Sequence, residues 1–540
     1  MSGDWDAEVD VLVVGFGGAG ACAAIEAVDR GADVLVLDRF RGGGATAISG
    51  GIVYAGGGTK YQTEAGFADT VEAMTDYLRQ ETGDVVSAGT LRRFCDDSDA
   101  NLRWLEENGV PFEGSMAPRK TSYPTNDYYL YYSGNELVPP FRDTAEPAPR
   151  GHRTKGRGTS GKVLFTALER AARRRGIPVR CQTAVTELIT DADGRVIGVA
   201  AKEIPRSAIV ARTLHRWMSR ANRKLNIYYR PLGKLMDQPI RRLEAEHGVP
   251  RRFRARHGVI LAAGGFVFNR RMLAEHAPAY RSGSSLGTIA DDGSGIRLGT
   301  SVGGATDRLD RVSAWRFYNP PIALVEGVLV NRAGERICNE LCYGARIGDH
   351  IAAQPDAKAY LVIDQRVLSE AKRQLPEQTL WFQRLQATYL FTAGHVRADD
   401  LGTLARRARI DADGLRRTIE EYNADAAAGR PDAFGKDAEH VRALTNGPYY
   451  VLDCSLRTQR GFPCPMITLG GLTVDESSGA VITAEGAAVA GLYAAGRTAV
   501  GVCSESYVSG LSIADCVFSG RRAGAAVATL VNRDDHGSGR

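Results

Sequence analysis

The chain has 540 residues, which is long enough for two or three domains. Its hydrophobic fraction of 44% is ordinary for a globular protein, and its nine cysteines form no C-x-x-C or C-x-x-C-H spacing, which argues against a zinc ribbon, a c-type haem or a secreted disulfide framework. The acidic first ten residues do not resemble a signal peptide, and no apolar run reaches the roughly 18–20 residues of a membrane span, so we expect a cytoplasmic protein. We also expect no metal site.

The first predicted unit is a strand, a glycine turn, a helix and a second strand. An apolar run from Val9 leads into G-x-G-x-x-G at Gly15, Gly17 and Gly20, and the second strand ends at Asp38. In such a unit the glycines allow a tight turn, a close approach of a pyrophosphate and close helix packing, while the acidic residue accepts ribose hydroxyls. This context favours a dinucleotide site over a glycine turn without a ligand, but it does not separate NAD from FAD.

Three later segments repeat the pattern of small residues at a strand end. They are the loop at 41–58, I-L-A-A-G-G-F at 260–266 and G-L-Y-A-A-G-R at 491–497. Ligands lie at the carboxyl edge of parallel sheets, so these segments predict one nucleotide site to which the chain returns. The fold class expected is α/β, a Rossmann-like domain interrupted by a second, α+β domain.

Four sequence motifs, taken together, carry a family resemblance over nearly the whole chain. A-T-A-I-S-G-G at 45–51, L-V-N-R-A-G-E-R-I-C-N-E at 329–340, T-L-G-G-L at 468–472 and G-L-Y-A-A-G-R follow one another as in the fumarate reductase/succinate dehydrogenase flavoproteins, which include the 3-ketosteroid dehydrogenases. The chain resembles this superfamily, which implies FAD as the cofactor. Some members attach FAD through a histidine; the matching position here is about Gly44, so the resemblance implies non-covalent FAD.

The resemblance also implies the cofactor residues and the domain boundaries. The FAD-binding domain is expected at 1–283 and 450–540, and the substrate domain at 284–449. The active site is expected between them, where ligand pockets often lie. The expected cofactor-binding residues are Gly15, Gly17, Gly18, Ala19, Gly20, Asp38, Arg39, Ala45, Thr46, Ser49, Gly50, Gly51, Val185, Ala263, Gly264, Gly496, Leu511 and Ser512.

A tyrosine and a serine stand two residues apart in G-V-C-S-E-S-Y-V-S-G-L-S, at Tyr507 and Ser509. The segment lacks the H-G-x-N-R-L-G pattern of the dicarboxylate enzymes and the Y-P-G-x-G of the ketosteroid Δ1-dehydrogenases. It is similar to the 3-ketosteroid Δ4-(5α)-dehydrogenases, in which such a pair and a further tyrosine, here Tyr343, are active-site groups. Y-Y-S-G-N-E at 131–136 and P-A-P-R-G-H at 147–152 resemble the same subfamily.

The reaction implied by this resemblance removes a proton from carbon 4 and a hydride from carbon 5 of a 5α-3-ketosteroid. Carbon 4 is acidic because the neighbouring ketone enolises, and the hydride goes to flavin N5. Residues two apart in an extended segment face the same side. The expected roles are therefore Tyr507 as the base, Ser509 as its relay and Tyr343 as a second hydroxyl, for which polarising the ketone and joining the relay both remain open.

Several alternatives stay open at this stage. Within the family these are Δ1-dehydrogenation and a fumarate- or enoate-reductase activity, and Tyr507 alone is also compatible with simple packing. The tyrosines Tyr128, Tyr129, Tyr131 and Tyr132 are compatible with a steroid pocket and with a surface strand. The natural electron acceptor, the exact steroid and the oligomeric state are not indicated.

A basic segment interrupts the FAD domain at 207–257. Between Arg206 and Arg256 there are fourteen Lys and Arg residues and three Asp and Glu residues, so the rest of the chain is mildly acidic. Val210, Leu214, Trp217, Met218, Ala221 and Leu225 follow helical spacing.

The prediction for this segment is a basic amphipathic helix. Peripheral membrane contact at the inner face, packing on the protein and an oligomer contact remain open, whereas no aromatic interleaving or known fold supports nucleic-acid binding. A membrane-docked flavoprotein that passes electrons to a partner is the alternative of a different class.

Overall fold

The computed structural model describes residues 5–228, 230–457 and 461–537. The segments at 1–4, 229, 458–460 and 538–540, which fall within the predicted FAD domain and its insert, lie outside the described residues. The α-helices are α1 (Gly18–Asp29), α2 (Lys60–Glu64), α3 (Val71–Thr82), α4 (Ala88–Asp96), α5 (Ser98–Glu107), α6 (Phe141–Thr144), α7 (Gly161–Arg174), α8 (Ile209–Tyr228), α9 (Arg230–His247), α10 (Arg270–His276), α11 (Ser294–Thr300), α12 (Gly344–Ala352), α13 (Gln365–Gln378), α14 (Trp381–Thr392), α15 (Leu401–Ala408), α16 (Ala412–Ala428) and α17 (Leu511–Gly537).

The strands are short except in the main sheet. They are β1 (Ala7–Val14), β2 (Val34–Asp38), β3 (Ile52–Tyr54), β4 (Leu130–Tyr131), β5 (Gly151–Arg153), β6 (Val179–Cys181), β7 (Thr183–Thr190), β8 (Val196–Glu203), β9 (Val249–Leu261), β10 (Ser284–Ser285), β11 (Thr306–Asp307), β12 (Val312–Ala314), β13 (Val328–Val330), β14 (Tyr360–Asp364), β15 (His395–Ala398), β16 (Tyr449–Asp453), β17 (Pro465–Thr468), β18 (Gly471–Leu472), β19 (Ala480–Ile482) and β20 (Ala488–Ala494).

The main sheet has eight strands in the order β19-β20-β9-β1-β2-β6, with β7 and β8 continuing from β9. Strand β1 pairs in parallel with both neighbours, Val13 facing Val36 on one side and Ile260 on the other. Val13 and Leu12 point into two different buried clusters on opposite faces of the sheet. Burial on both faces explains why the strand is continuously apolar instead of alternating.

Helices α1 and α17 pack together on one face of this sheet. A Cβ atom at Gly520 would lie 2.5 Å from the Ala19 carbonyl oxygen, and one at Gly524 would lie 2.4 Å from the Ala23 carbonyl oxygen. Glycine at these two positions therefore permits a close backbone approach. Through this contact the C-terminal helix is held beside the predicted nucleotide turn.

The α/β fold class is confirmed. The main sheet takes its strands from residues before 262 and after 479, whereas a four-stranded antiparallel sheet in the order β13-β14-β16-β15 takes its strands from 328–453. The predicted boundaries near 283 and 450 remain a prediction. Strand β17 pairs with both β10 and β12, so a three-stranded sheet joins segments on the two sides of these boundaries.

The basic insert is a helical hairpin of α8 and α9 between the antiparallel strands β8 and β9. The predicted apolar stripe of α8 is divided: Val210 is 80% exposed and Trp217 is 63% exposed, whereas Met218 is buried. The buried stripe is instead formed by Ala211, His215, Met218, Asn222 and Asn226. The helix therefore packs on the protein mainly through a different stripe from the predicted one, because the polar members of that stripe have partners within the protein.

These partners lie within the hairpin and at Gln182, between β6 and β7. The Asn222 amide donates to the Gly233 carbonyl at 2.9 Å and to Asp237 at 2.7 Å, and Asn226 donates to the Asn222 side chain at 2.8 Å. A buried polar stripe with matched hydrogen bonds competes successfully with an apolar one. Among the described residues, no helix combines the length and the apolar character that a bilayer-spanning segment needs.

Candidate active site

A cavity of about 1100 Å³ runs from the carboxyl end of β1 to a wall of aromatic residues in the 284–449 segment. Ligand pockets commonly measure about 300–1,000 Å³. The cavity is therefore large enough for a dinucleotide together with a second molecule.

The nucleotide end of the cavity has the predicted glycine turn. Gly15 has φ +101°, and a Cβ atom there would lie 2.5 Å from the Ala262 carbonyl oxygen, so the turn requires glycine. A Cβ atom at Gly17 would meet no protein atom within 4 Å, which leaves this side of the turn open to a ligand. Helix α1 then begins at Gly18 without a side-chain cap. Free N–H groups and the positive end of the helix dipole suit a pyrophosphate.

Most predicted cofactor residues line this cavity. They are Gly15, Gly17, Gly18, Ala19, Asp38, Arg39, Ala45, Thr46, Ser49, Gly50, Gly51, Val185, Ala263, Gly264, Gly496 and Ser512. Gly20 and Leu511 do not line the cavity, and their assignment to the cofactor stays a prediction. A Cβ atom at Gly20 would lie 1.9 Å from the Gly15 carbonyl oxygen, so Gly20 permits close packing of α1 on the turn, and the Leu511 N–H donates to the Val508 carbonyl.

Asp38 and Arg39 line the cavity with most of their hydrogen-bonding capacity already used. The Asp38 carboxylate accepts from the N–H groups of Phe16 at 2.9 Å, Phe40 at 2.8 Å and Gly42 at 3.0 Å. A carboxylate offers about four acceptor positions, so about one remains for a ribose hydroxyl. The Arg39 guanidinium is held by Glu244 and Asp292, so its polar contacts are to protein groups.

The insert forms part of the cavity wall, which the sequence did not indicate. Glu244 on α9 binds Arg39 through two hydrogen bonds of 2.9 and 2.8 Å and accepts from His215 Nε2 at 3.1 Å. His215 also stacks on Phe40 with 5.5 Å between ring centroids. The hairpin is thus fastened to the end of β2 beside the nucleotide site.

Arg497, in the turn that follows β20, is a further buried group of the cavity wall. Its NH2 group donates to Asp291 at 2.5 Å, whereas its NH1 group has no hydrogen-bond partner in the described part of the protein. A buried guanidinium nitrogen without a partner is costly. Arg497 therefore has donor capacity left for a polar atom of the bound cofactor, and the whole nucleotide end fits FAD.

The three predicted catalytic side chains meet at the other end of the cavity. Tyr507 and Ser509 precede α17, Tyr343 immediately precedes α12, and all three are buried in the cavity wall. The ring centroids of Tyr343 and Tyr507 are 6.4 Å apart. The structure thus brings together hydroxyl groups from segments separated by more than 160 residues, as the sequence predicted.

Tyr131 completes this cluster. Its hydroxyl donates to Ser509 Oγ at 2.9 Å, and the side chain is fully buried. Ser509 is therefore hydrogen-bonded to Tyr131 rather than to Tyr507, which the sequence placed beside it. Of the neighbouring tyrosines, Tyr129 is buried and Tyr128 packs against Tyr131, so a surface strand is excluded for this segment. None of these tyrosines lies on the cavity wall itself.

Burial raises the pKa of each tyrosine in the cluster. For Tyr343 the nearby Tyr507 and Tyr131 add to this effect, and the Ser509 hydroxyl partly opposes it. For Tyr507 the rise in pKa is partly opposed by the Gly510 N–H. The phenols of Tyr131, Tyr343 and Tyr507 are therefore protonated at neutral pH and act as hydrogen-bond donors.

An apolar wall surrounds the two cavity tyrosines. Trp315 stacks on Tyr507 with 5.1 Å between centroids, and Phe317 lies 5.4 Å from Tyr343. Leu286 and Ile467 complete the wall. An apolar surface with a few hydroxyls suits a rigid apolar ketone better than a dicarboxylate, which would require cationic groups.

Fold and site together define a flavoprotein oxidoreductase. The chain belongs to the FAD binding domain family, whose pattern matches residues 10–508. It is 38% identical to the 3-oxo-5-alpha-steroid 4-dehydrogenase of Comamonas testosteroni, over 91% of this chain and 93% of the relative. It is 25% identical to the 3-oxosteroid 1-dehydrogenase of Mycolicibacterium smegmatis, over 93% of both chains.

A solved structure covers the same length. The 3-ketosteroid-Δ4-(5α)-dehydrogenase of Rhodococcus jostii RHA1, in complex with 4-androstene-3,17-dione, superposes with a TM-score of 0.81 at 32% sequence identity. The match covers 98% of both chains, so it includes the FAD domain and the interrupting domain. The FAD-dependent fold predicted from the sequence is therefore confirmed.

Proposed function

We propose that this protein is an FAD-dependent dehydrogenase of 5α-3-ketosteroids that introduces the double bond between carbons 4 and 5. The observation that carries the proposal is the cluster of Tyr343, Tyr507 and Ser509 on an apolar wall of the cofactor cavity. The greater identity to a steroid 4-dehydrogenase than to a 1-dehydrogenase supports this position of the double bond.

When bound, the flavin accepts the hydride and supplies the redox chemistry. The chain must hold the steroid, exclude water and move the proton from carbon 4. Tyr507 is protonated and faces the cavity, so we assign it to donate a hydrogen bond to the ketone oxygen. Such a donor stabilises the negative charge that develops on this oxygen as carbon 4 loses its proton.

Ser509 is the better candidate to receive the proton. Its Oγ accepts a hydrogen bond from Tyr131. The Ser509 hydroxyl also lies close enough to Tyr343 to lower the pKa of that phenol. A serine between two phenols can accept one proton as it passes its own to a phenol oxygen, provided that this phenol releases its proton to water, so that every group ends neutral. This assignment replaces Tyr507 as the base, because Tyr507 has no hydrogen bond to Ser509 in the described part of the chain.

The proposed function is tested by anaerobic mixing of the purified yellow protein with a 5α-saturated 3-ketosteroid. Loss of the flavin absorption near 450 nm, with a 4-ene-3-ketone as product, is the expected result (about where oxidised flavins absorb). A 1-ene product would reassign the position of the double bond. No bleaching, together with reoxidation of the chemically reduced protein by fumarate, would reject the steroid activity.

We also infer that the insert at 207–257 makes peripheral contact with an anionic membrane surface. On α8 the exposed apolar residues Val210, Leu214 and Trp217 lie one turn apart along one side of the helix. Arg216 and Arg220 lie on the adjacent side; they are exposed, have no ion pair to any described residue, and also line the cofactor cavity. The exposed apolar side chains therefore carry the proposed contact, and these arginines add positive charge beside them, which suits the interface of an anionic bilayer.

Point substitutions test this contact better than a deletion, since a deletion would also remove Glu244 and release Arg39. Val210→Ser/Trp217→Ser is expected to weaken sedimentation with phosphatidylglycerol vesicles about tenfold or more, because two buried apolar side chains are lost. Trp381→Ser, at a tryptophan of α14 that is 61% exposed, is the matched control. Equal binding by the wild type and the double variant would reject the contact.

A further inference from the structure

Behind the hydroxyl cluster lies a buried amide with partners in two other segments. Asn135 is fully buried, and its Oδ1 accepts from the Tyr343 N–H at 2.7 Å. Its Nδ2 donates to both oxygens of the Glu81 carboxylate at 3.0 Å. The amide can satisfy both partners in one orientation only, because the N–H needs an acceptor and the carboxylate needs a donor.

Glu81 links this amide to the segment that carries the other tyrosine. The hydroxyl of Ser506, the residue before Tyr507, donates to Glu81 Oε1 at 3.4 Å. The segment after β4 is fixed as well, since the Asn135 N–H donates to the Tyr77 hydroxyl and the Ser509 N–H donates to the Ser133 carbonyl at 3.1 Å. One buried carboxylate and one amide thus connect the Tyr343 backbone with the side chain of Ser506.

This connection has a geometric consequence for Tyr343. The residue is the N-cap of α12 and lies outside the helix, so its own N–H is not held by helical bonds. The hydrogen bond to Asn135 is what fixes this N–H, and with it the position from which the phenol extends into the cavity. The Asn135 amide is itself held by charge-assisted hydrogen bonds to Glu81, and leaving any of these buried partners unpaired is costly.

We propose that Asn135 and Glu81 are positioning residues, which hold Tyr343 and the Ser506–Ser509 segment at the spacing that proton transfer from the steroid requires. The inference rests on the proposed function, since it concerns the same hydroxyl cluster. Neither side chain lies on the cavity wall, so their effect is expected on the rate of the chemical step and not on steroid binding.

The first test is Asn135→Ala, compared with the wild type in steroid turnover per bound flavin. The expected kcat is about tenfold to a hundredfold lower, because a displacement of about 1 Å at a reacting group has effects of this size. KM is expected to change less than about twofold. Unchanged kcat, or a loss expressed only in KM, would overturn the inference.

The second test exchanges the two groups. Asn135→Asp places two carboxyl groups against each other, which cannot both be ionised at this distance, so kcat should fall. In Glu81→Gln/Asn135→Asp the amide stands at 81 and the carboxylate at 135; the aspartate can still accept from the Tyr343 N–H and the glutamine can donate to it. The double variant should regain most of the lost kcat. A double variant no faster than Asn135→Asp would contradict the positioning role.

Two controls separate the possible failures. Asn108, at the end of α5, is also a buried asparagine; it donates to the Trp104 carbonyl at 2.8 Å and does not line the cavity. Asn108→Ala should lower Tm but leave kcat per flavin unchanged, so a loss of kcat in this variant would assign the effect of Asn135→Ala to general destabilisation. Wild-type protein that fails to turn over the steroid would instead reject the proposed function itself.

Discussion

Tyr507 and Ser509 are two residues apart, yet they face different partners. Ser509 is bonded to Tyr131 from β4, whereas Tyr507 stacks on Trp315 and lies beside the Gly510 N–H. Alternation along an extended segment correctly predicts that both face the cavity. It carries no information about which hydroxyl each one meets, because those partners come from distant segments.

Tyr507→Phe separates the role of hydrogen-bond donor from that of a base. Loss of one donor to a developing oxyanion is expected to slow flavin reduction about a hundred- to a thousandfold. The ultraviolet absorption of a bound 4-ene-3-ketone should lose the shift to longer wavelength that a hydrogen-bonded carbonyl shows. The rate of flavin reduction is measured by stopped-flow absorption, and the spectral shift of the bound ketone by difference spectroscopy.

Ser509→Ala is the informative comparison, because it should slow reduction while keeping that spectral shift. Tyr450→Phe is the matched control, since this buried tyrosine of β16 donates to Gln365 outside the cavity. A Tyr507→Phe variant that keeps the spectral shift would remove the assignment of Tyr507 to the ketone oxygen.

At the level of elements, the insert hairpin shows how a polar network overrides a hydrophobic pattern. The apolar spacing of α8 is visible in the sequence, but the sequence does not show which side of the helix packs against the protein. His215, Asn222 and Asn226 decide the direction because each finds a partner inside the protein. Such partners are set by the packing of α8 against α9 and against Gln182 between β6 and β7, which a single sequence does not encode in its periodicity.

The contribution of the hairpin contacts to the free energy of unfolding can be measured by substituting Glu244. Burial alone would raise the pKa of its carboxyl, but hydrogen bonds from His215 and Arg39 outweigh burial and lower it from 4.5 to about 2. A lowered folded-state pKa stabilises the fold above pH 4.5, and this contribution is lost as the pH falls from about 4.5 to about 2. Glu244→Gln should lower the free energy of unfolding at pH 7 by about 2 kcal/mol.

The difference between the wild type and Glu244→Gln should therefore shrink on acidification below pH 4.5. Denaturant unfolding at pH 7, 4 and 3 measures it. Glu246→Gln is the control, since this exposed residue of the same helix has no ion pair with any described residue. A difference that stays constant, or that grows at low pH, would show that the contacts of Glu244 do not fasten the hairpin.

At the scale of the whole molecule, the nucleotide half of the site could be predicted from the sequence, whereas the hydrogen bonds that support the hydroxyl cluster could not. Parallel strands that end in glycine turns meet at one edge of the sheet, so Gly15, Gly264 and Gly496 could be placed in one cavity from the sequence, together with Gly50 of the loop after the second strand. Asn135 and Glu81 are 54 residues apart in different elements. No sequence motif predicts that these two residues are in contact, and only the packed structure shows it.

Because the cavity is lined by segments from Gly15 to Ser512, removal of FAD should affect the stability of the entire chain. Non-covalent attachment is expected: Gly44, at the position of the attaching histidine in some relatives, has no side chain, and the nearest atom to a Cβ there would be Gly17 Cα at 3.8 Å. Acid precipitation should therefore leave all the flavin in the supernatant. A yellow pellet would contradict this expectation.

The same property predicts a Tm that depends on free FAD. A ligand that binds only the folded state contributes about 2.7 kcal/mol at a concentration of 100 times its Kd. For the protein stripped of FAD, Tm should rise steadily as FAD is added, and riboflavin, which lacks the phosphates that suit the α1 N-terminus, should raise it much less. Equal shifts with riboflavin and FAD would mean that the glycine turn and α1 contribute little to binding.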